Sequence, residues 1–450
     1  MLIHSLILSS LIISVSCQIQ FQTAKKLTKP EQSQSLHKRD SHINFIDDTI
    51  AYYVNISVGS QNQSILAVLD TGSSDLWFPG SNNSKCKDGK PQGDRFIDSV
   101  DFPEGSNTTK QEELTQLAKS IQNYCSSENV FNYHDSKTWN SNDTEFKITY
   151  LDGSLSTGIW GTDSITLDGI TLNNFSFAVT NNSNASAILG IGLLKSETTY
   201  LINDEHYTYA NFPQRLKNDG IIDKVVYSLI PDVPGSYSGS LLIGGVDHSK
   251  YIDELETIPM ISDSRTSVEL NGIGLSINDD NETLSSDDYE TLLDSGTTTA
   301  NFPKPLLEKL ANKLGSSGKI HKRDSYDYYD VDCSYLENED DFISLTFQNK
   351  TIKVPLKNMI TEHDDQCLLK ILSLTDDMIL LGDIFLSSMY IVYDLEDLEV
   401  SIAQLDLDPT SESDIEKVGN NDHKASISHS LHNLASKVKK YDVFSTVLIE

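Results

Sequence analysis

Short apolar or alternating runs, bounded by Gly, Asn and Asp, dominate the pattern of hydrophobic and polar positions along this chain. Runs of this length are typical of β-strands. They predict strands over 52–58, 65–69, 145–150, 169–179, 240–243, 343–347 and 389–394. Helical patterns are few, at 212–218, 304–314 and a candidate at 111–122. The pattern therefore predicts an all-β protein with a few short helices.

One short motif occurs twice, once in each half of the chain. Asp70-Thr71-Gly72-Ser73 follows the apolar run 67–69, and Asp294-Ser295-Gly296-Thr297 follows 291–293. A single motif of this kind indicates only a turn, because Asp, Ser and Gly are favoured in any turn. Each copy, however, is followed much later by a hydrophobic segment with glycine, at 187–192 and 378–383. This repeat predicts that the two acids meet.

The paired motifs resemble those of the pepsin-like aspartic proteases, most closely the secreted fungal candidapepsins and yapsins. The resemblance runs from about Phe45 to Leu407 and includes the segments 239–247 and 390–394. It implies a bilobal fold, with an N-terminal lobe over 40–225 and a C-terminal lobe over 226–408.

By this resemblance, Asp70 and Asp294 are the catalytic residues. Two facing carboxyl groups cannot both ionise cheaply, so they share a proton. The ionised group takes a proton from water, the water attacks the peptide carbonyl, and the protonated group donates to the oxyanion. No cofactor or metal is required, and the His residues show no metal-ligand spacing. Which Asp carries the proton stays open.

The residues around the two acids have supporting roles in the family. Gly72 and Gly296 let the backbone turn closely. The hydroxyl groups divide into two expected roles: Thr71 and Ser295 cross-brace the two loops, and Ser73 and Thr297 bond the outer carboxylate oxygens.

An alternating stretch over 146–154 predicts a hairpin, within a flap region near 146–158. The resemblance makes it the flap that closes over substrate, with Tyr150 above the scissile bond and Trp77 as its partner. Leu151 stands where the family usually has glycine. Asp152 either favours basic substrate side chains or is only a turn residue, and Gly153 and Ser154 complete the expected flap site.

Four cysteines remain after Cys17, two in each half: Cys86, Cys125, Cys333 and Cys367. Four cysteines permit three pairings. The family pattern of one bridge per lobe implies Cys86–Cys125 and Cys333–Cys367. The polar insertion over 86–125 resembles the long one of yapsins, which favours cleavage at basic residues over broad, candidapepsin-like specificity, although both stay open.

The N-terminal segment predicts export and processing. Residues 1–17 have the apolar stretch of a secretory signal, and residues 18–39 carry a net charge of +4 on an otherwise acidic chain. A basic leader can dock over an acidic cleft, and Lys38-Arg39 is a candidate site for a kexin-type protease. The alternative is a polar leader with an accidental dibasic pair. The pentapeptide 37–41 recurs at 321–325. The second copy is either another cleavage site, at Lys322-Arg323, or merely part of an exposed loop.

Charge and glycosylation motifs complete the picture. The formal net charge of −32 excludes nucleic acid and anionic membranes as partners. Residues 409–450 are predicted to be disordered, and no stable membrane insertion is expected. We expect a secreted monomer that acts on protein or peptide substrates. Association with the cell wall is compatible with this expectation. The alternatives are a catalytically silent bilobal binding or cell-wall glycoprotein and a structural mannoprotein. Ten Asn-x-Ser/Thr sequons favour the secretory pathway: Asn55, Asn62, Asn82, Asn107, Asn142, Asn174, Asn181, Asn184, Asn281 and Asn349.

Overall fold

A computed structural model describes thirteen segments of the chain. These are residues 17–22, 52–87, 90–91, 125–126, 129–150, 154–202, 206–231, 238–323, 326–338, 340–363, 366–373, 378–407 and 413–419. Strands dominate this part of the chain and helices are few and short. The predicted all-β class is confirmed.

The largest sheet has thirteen strands and runs through both halves of the chain. Its strands are β1 (Cys17–Gln22), β2 (Tyr53–Val58), β3 (Gln63–Asp70), β4 (Leu76–Pro79), β7 (Asn140–Thr149), β8 (Leu155–Leu167), β9 (Ile170–Asn182), β10 (Ala187–Gly190), β11 (Val226–Pro231), β12 (Ser238–Ile243), β14 (Tyr251–Pro259), β28 (Met389–Asp394) and β29 (Glu399–Leu405). They are hydrogen-bonded in the order β14-β29-β28-β11-β12-β1-β2-β3-β10-β4-β9-β8-β7. All six residues of β28 are buried, in keeping with its apolar sequence up to Asp394.

Three smaller sheets lie in the second half. One orders β15 (Ser267–Leu270), β18 (Tyr289–Leu293), β27 (Ile379–Leu381), β19 (Ala300–Asn301) and β26 (Ile371–Leu372). The second sheet has the strand order β17 (Asp280–Ser285), β16 (Gly272–Ile277), β22 (Phe342–Phe347) and β23 (Lys350–Pro355). The third has the order β20 (Ile320–Arg323), β21 (Tyr326–Val331), β25 (Gln366–Leu369) and β24 (Ile360–His363). Two strand pairs remain, β5 (Cys86–Lys87) with β6 (Lys90–Pro91), and β13 (Gly245–Asp247) with β30 (Ile415–Lys417).

The described residues contain four short α-helices: α1 (Thr198–Leu201), α2 (Phe212–Asn218), α3 (Lys304–Lys313) and α4 (Asp383–Leu386). Asn211 caps α2 by accepting a hydrogen bond from the Gln214 backbone N–H. None of these helices has the length and apolar character needed to cross a bilayer. Five 3-10 turns occur in the same part of the chain, at Tyr133–Asp135, Leu194–Ser196, His248–Lys250, Cys333–Leu336 and Leu356–Met359.

The two halves repeat one arrangement of strands around the repeated motif. In the first half, β3 pairs in parallel with β10, and β4 pairs antiparallel with β10. In the second half, β18 pairs in parallel with β27, and β19 pairs antiparallel with β27. Asp70 ends β3 and Asp294 directly follows β18. The sequence repeat is therefore a structural repeat.

The leader contributes a strand to the large sheet. β1 pairs antiparallel with β12 over its full length, from Cys17 opposite Ile243 to Gln22 opposite Ser238, and Gln22 also pairs with Tyr53 of β2. Lys38 and Arg39 lie outside the described residues. Cleavage at both ends of the leader stays a prediction.

Both predicted disulfides are present. Cys86 pairs with Cys125 and Cys333 with Cys367, with Cα atoms 5.5 and 5.3 Å apart. Most of the insertion that the first bridge closes, including the helix predicted over 111–122, lies outside the described residues. The second pentapeptide begins on β20, at the edge of its sheet, where the Lys322 side chain is 84% exposed. Cleavage there stays a prediction.

The prediction of disorder beyond residue 408 is wrong for Ile415–Lys417. This strand, β30, pairs antiparallel with β13, and the following Val418 is buried beside Val246. Asp247 accepts hydrogen bonds from the Ser413 hydroxyl and the Asp414 backbone N–H. The segment is ordered by partners distant in sequence, which its own polar composition does not reveal.

Candidate active site

The structure brings the two acids of the repeat into contact. The carboxyl group of Asp294 faces that of Asp70, close enough for a hydrogen bond between them, and both residues are buried. A Cβ atom at Gly72 would lie 2.7 Å from Asp294 Cγ, and one at Gly296 would lie 2.6 Å from Asp70 Cγ. Glycine is therefore required at both positions, because any side chain would displace the opposite carboxyl group.

Equivalent hydrogen bonds hold each acid. The Gly72 backbone N–H donates to Asp70 Oδ1 at 2.7 Å, and the Gly296 N–H donates to Asp294 Oδ1 at 2.8 Å. The hydroxyl of Ser73 donates to Asp70 Oδ2, and that of Thr297 donates to Asp294 Oδ2. The inner and outer oxygens of both carboxyl groups thus have matching donors.

Thr71 and Ser295 tie the two loops together. The Thr71 backbone N–H donates to Ser295 Oγ at 3.1 Å, and the Ser295 N–H donates to Thr71 Oγ1 at 3.0 Å. Their hydroxyls in turn donate to the backbone oxygens of Leu293 and Leu69, both at 2.8 Å. These contacts are the expected cross-brace, and they fix the relative position of the two acids.

The electrostatics of the pair favour a retained proton. Burial raises the pKa of Asp294 well above its usual range, and the adjacent Asp70 carboxyl raises it further by its charge and by the hydrogen bond between them. Hydrogen bonds from Thr297 and Gly296 act in the opposite direction, because they stabilise the ionised form. The pair can therefore hold one proton between two oxygen atoms in a buried site.

Asp383 is a third acid near the pair that sequence reasoning did not assign to the site. It is buried at the start of α4, and neither of its carboxyl oxygens has a hydrogen-bond partner in the described part of the chain. Burial, followed by the charges of Asp294 and Asp70, raises its pKa well above the usual range. The only available signal was its position after Gly382 in the second hydrophobic segment with glycine.

The predicted hairpin is present as β7 and β8, which pair up to Thr149 opposite Leu155. Trp77 Nε1 donates a hydrogen bond to the Tyr150 hydroxyl at 2.8 Å, so these two residues are partners as expected. The Tyr150 backbone N–H donates to the Ser154 carbonyl oxygen at 3.0 Å. The expected tip residues Leu151, Asp152 and Gly153 lie outside the described residues.

Among the residues that the structure describes, no group of three or more His, Cys, Asp or Glu side chains is arranged to hold a metal ion. The groups that the structure brings together at the site are the two carboxyl groups and the hydroxyl and amide donors around them.

The sequence model of the eukaryotic aspartyl protease family matches residues 51–405. The chain is 35% identical to aspartic proteinase MKC7 of Saccharomyces cerevisiae over 78% of its own length, but spans only 65% of that relative. It is 34% identical to aspartic proteinase 3 of the same yeast, covering 80% of this chain and 71% of that one. Candidapepsin-3 of Candida albicans is 32% identical, over 85% of this chain and 88% of the relative. With its two acids in contact on repeated halves, the chain belongs to the eukaryotic aspartyl protease family.

Proposed function

We propose that this protein is an aspartic endopeptidase that hydrolyses peptide bonds at acidic pH, with Asp70 and Asp294 as its catalytic residues. The observation that carries the proposal is the arrangement of these two buried carboxyl groups face to face, each held by matching donors. The family relationship and the names of the relatives support the same activity.

The reaction uses the shared proton. The ionised carboxylate removes a proton from a water molecule, whose oxygen attacks the carbonyl carbon of the scissile bond. The protonated carboxyl donates its proton to the developing oxyanion, which gives a neutral tetrahedral intermediate. Proton transfer to the leaving nitrogen and cleavage of the C–N bond then release the two products. No covalent bond to the enzyme forms.

We also propose that the protein is exported, glycosylated and matured after Arg39 by a kexin-type protease, and acts as an extracellular monomer. The support is the signal-like segment 1–17, the sequons and the basic leader, together with relatives named as secreted proteases. Broad and basic-residue specificity are both compatible with the sequence, in which Asp152 is the residue expected to favour basic side chains.

Digestion of a peptide library at several acidic pH values tests both activity and specificity. We expect cleavage that a statine-type transition-state inhibitor blocks and that Asp70→Asn abolishes, because an amide can neither accept the proton from water nor supply one to the oxyanion. Circular dichroism of the variant should match that of the parent. Turnover in Asp70→Asn would contradict the two-acid mechanism, whereas absence of cleavage by the parent would favour a silent binding glycoprotein.

N-terminal sequencing of secreted protein tests the maturation proposal independently. We expect the mature chain to begin at Asp40, and an intact leader on the secreted protein would contradict processing at Lys38-Arg39.

A further inference from the structure

The first half of the chain buries a second pair of carboxyl groups, which the reaction does not use. Asp75 lies just before β4, and Glu197 lies just before α1. The side chains of both residues are fully buried. Neither is in an ion pair with a described Lys, Arg or His. Buried acids without a cation are costly when ionised, so this pair requires an explanation.

Tyr209 connects the two acids. Its hydroxyl donates to Asp75 Oδ1 at 2.8 Å, and its backbone N–H donates to Glu197 Oε2 at 2.9 Å. The Thr198 N–H donates to Asp75 Oδ2 at 2.9 Å. Burial outweighs the hydrogen bonds from Tyr209 and Thr199 that would stabilise an ionised Glu197, so the protonated form is favoured.

The same cluster contacts the base of the flap from two sides. The Tyr209 ring packs edge-on against Trp160 of β8 at 5.2 Å between centroids, and Trp160 packs edge-on against Phe146 of β7 at 5.3 Å. Asp75 lies two residues before Trp77. The indole N–H of Trp77 donates a hydrogen bond to the hydroxyl of the flap residue Tyr150. A change in the cluster can thus reach both the strands of the flap and its tyrosine.

The titratable groups that face one another in this cluster are Asp75, Glu197 and Tyr209; the hydroxyl groups of Thr198 and Thr199 beside them are uncharged. Burial raises the pKa of Asp75 to about 6 against the hydrogen bonds from Thr198 and Tyr209. Burial, and secondarily the charge of Asp75, raises the pKa of Glu197 to about 9. Asp75 is therefore the first of the three groups to ionise as the pH rises.

We propose that Asp75, Tyr209 and Glu197 form a proton-dependent support for the flap. While both carboxyl groups are protonated, Tyr209 holds Trp160 in place and the segment entering β4 holds Trp77 for Tyr150. When Asp75 ionises, its buried charge loosens this packing and the flap loses its fixed base. Asp75 and Glu197 are positioning residues, and the inference rests on the proposed function because only a protease uses the hairpin as a flap.

Tryptophan fluorescence tests the proposal without any turnover. Two of the three tryptophans in the chain, Trp77 and Trp160, belong to the aromatic cluster that Tyr209 packs against. The titration is done from pH 4 to 8 in full-length Asp70→Asn protein, which by the proposed mechanism cannot digest itself. We expect a reversible change in emission centred near pH 6, and its loss when Asp75→Asn is added, because asparagine cannot ionise.

Two further variants keep the test decisive if Asp75→Asn fails to fold. Tyr209→Phe retains the ring against Trp160 but removes a hydrogen bond that stabilises ionised Asp75, so the midpoint should move to higher pH. Asp163→Asn is the matched control, because Asp163 is also buried in this half but bonds to Ser136 and Thr138 instead; its transition should match that of the parent.

An unchanged transition in the Asp75→Asn protein would contradict the proposal. A midpoint that Tyr209→Phe does not raise would also contradict it. So would the absence of any transition in the parent. These outcomes concern only the flap base. Failure of the proposed function would instead appear as absence of peptide cleavage by the protein with Asp70 intact.

Discussion

At Ser295, one hydroxyl group serves both halves of the site. It donates to the Leu69 carbonyl oxygen and accepts from the Thr71 backbone N–H, and all three residues are buried. A buried backbone group left without a partner lowers the stability of the fold by more than the net contribution of a typical hydrogen bond. The side chain that positions the acids therefore also stabilises the fold.

Ser295→Ala should lower the free energy of unfolding by about 1–3 kcal/mol, because it leaves the Leu69 carbonyl and the Thr71 N–H unpaired. Urea denaturation of proteins that also carry Asp70→Asn measures the change. Ser64→Ala, which removes an exposed hydrogen bond to Asn55, is the control and should change stability by less than about 0.5 kcal/mol. Equal effects of the two variants would contradict the role of Ser295.

Thr297→Val should move one limb of the pH–rate profile to higher pH. The Thr297 hydroxyl stabilises ionised Asp294, so its removal raises the pKa of Asp294 further. Measurement of kcat between pH 2 and 7 shows which limb of the profile moves, although both limbs report the coupled pair rather than one residue. Thr297→Ser retains the hydroxyl and should restore the parent profile; a shift to lower pH in the valine variant would contradict the assignment.

At the scale of structural elements, the second disulfide joins two segments that are also held together by strand pairing. Cys333 opens a 3-10 turn and Cys367 lies on β25, where it pairs with Val331 of β21. The bridge closes a loop with a sequence separation of 34 residues. It therefore restricts the unfolded chain while the folded state already has the strand pairing beside it.

The double variant Cys333→Ala, Cys367→Ala should lose roughly 3–4 kcal/mol of unfolding free energy, the loss of chain entropy expected for a loop of this length. Urea unfolding measures it, and the parent under reducing conditions is a further comparison. Unfolding at the same urea concentration with and without the bridge would contradict this prediction.

The elements that sequence predicted well have a local signal. The run 389–393 is apolar and, together with Asp394, becomes β28, and the pattern at 212–218 becomes α2 with its cap at Asn211. Glu197 and β30 were missed, because burial of a charged residue and pairing of a polar segment depend on distant partners. The contact between Asp70 and Asp294 was predicted only through the repeat, since periodicity carries no information on how two halves meet.

At the scale of the whole molecule, the net charge and the buried acids both make the folded state more stable at acidic pH. The chain has a formal net charge of −32 at pH 7, and mutual repulsion of such an excess destabilises a compact state. Acid relieves that repulsion by protonating carboxylates. The buried Asp75, Glu197, Asp294 and Asp383 have raised pKa values, so they also favour the protonated form.

Stability should therefore fall as the pH rises from about 4. Asp75 has a pKa of about 6 in the folded state against an ordinary value of 3.8, so its contribution is complete below pH 3.8 and is lost through pH 6. Glu197 extends the loss toward pH 9. Each group that is protonated only in the folded state contributes a slope of about 1.4 kcal/mol per pH unit.

Urea denaturation of Asp70→Asn protein at pH 4, 5, 6 and 7 measures this slope. Addition of Asp75→Asn should flatten it between pH 4 and 6. Stability that stays constant or increases over this range would contradict the prediction.

The strand β30 bears on how the gene is trimmed for expression. The family model matches the chain up to residue 405. A boundary placed there would remove the segment that donates to Asp247, together with Val418, which is buried in one cluster with Val246. The recombinant product would then expose apolar surface and leave β13 with an open edge, a combination that promotes aggregation. A stop codon placed after Gly419 retains the whole folded unit that the structure describes.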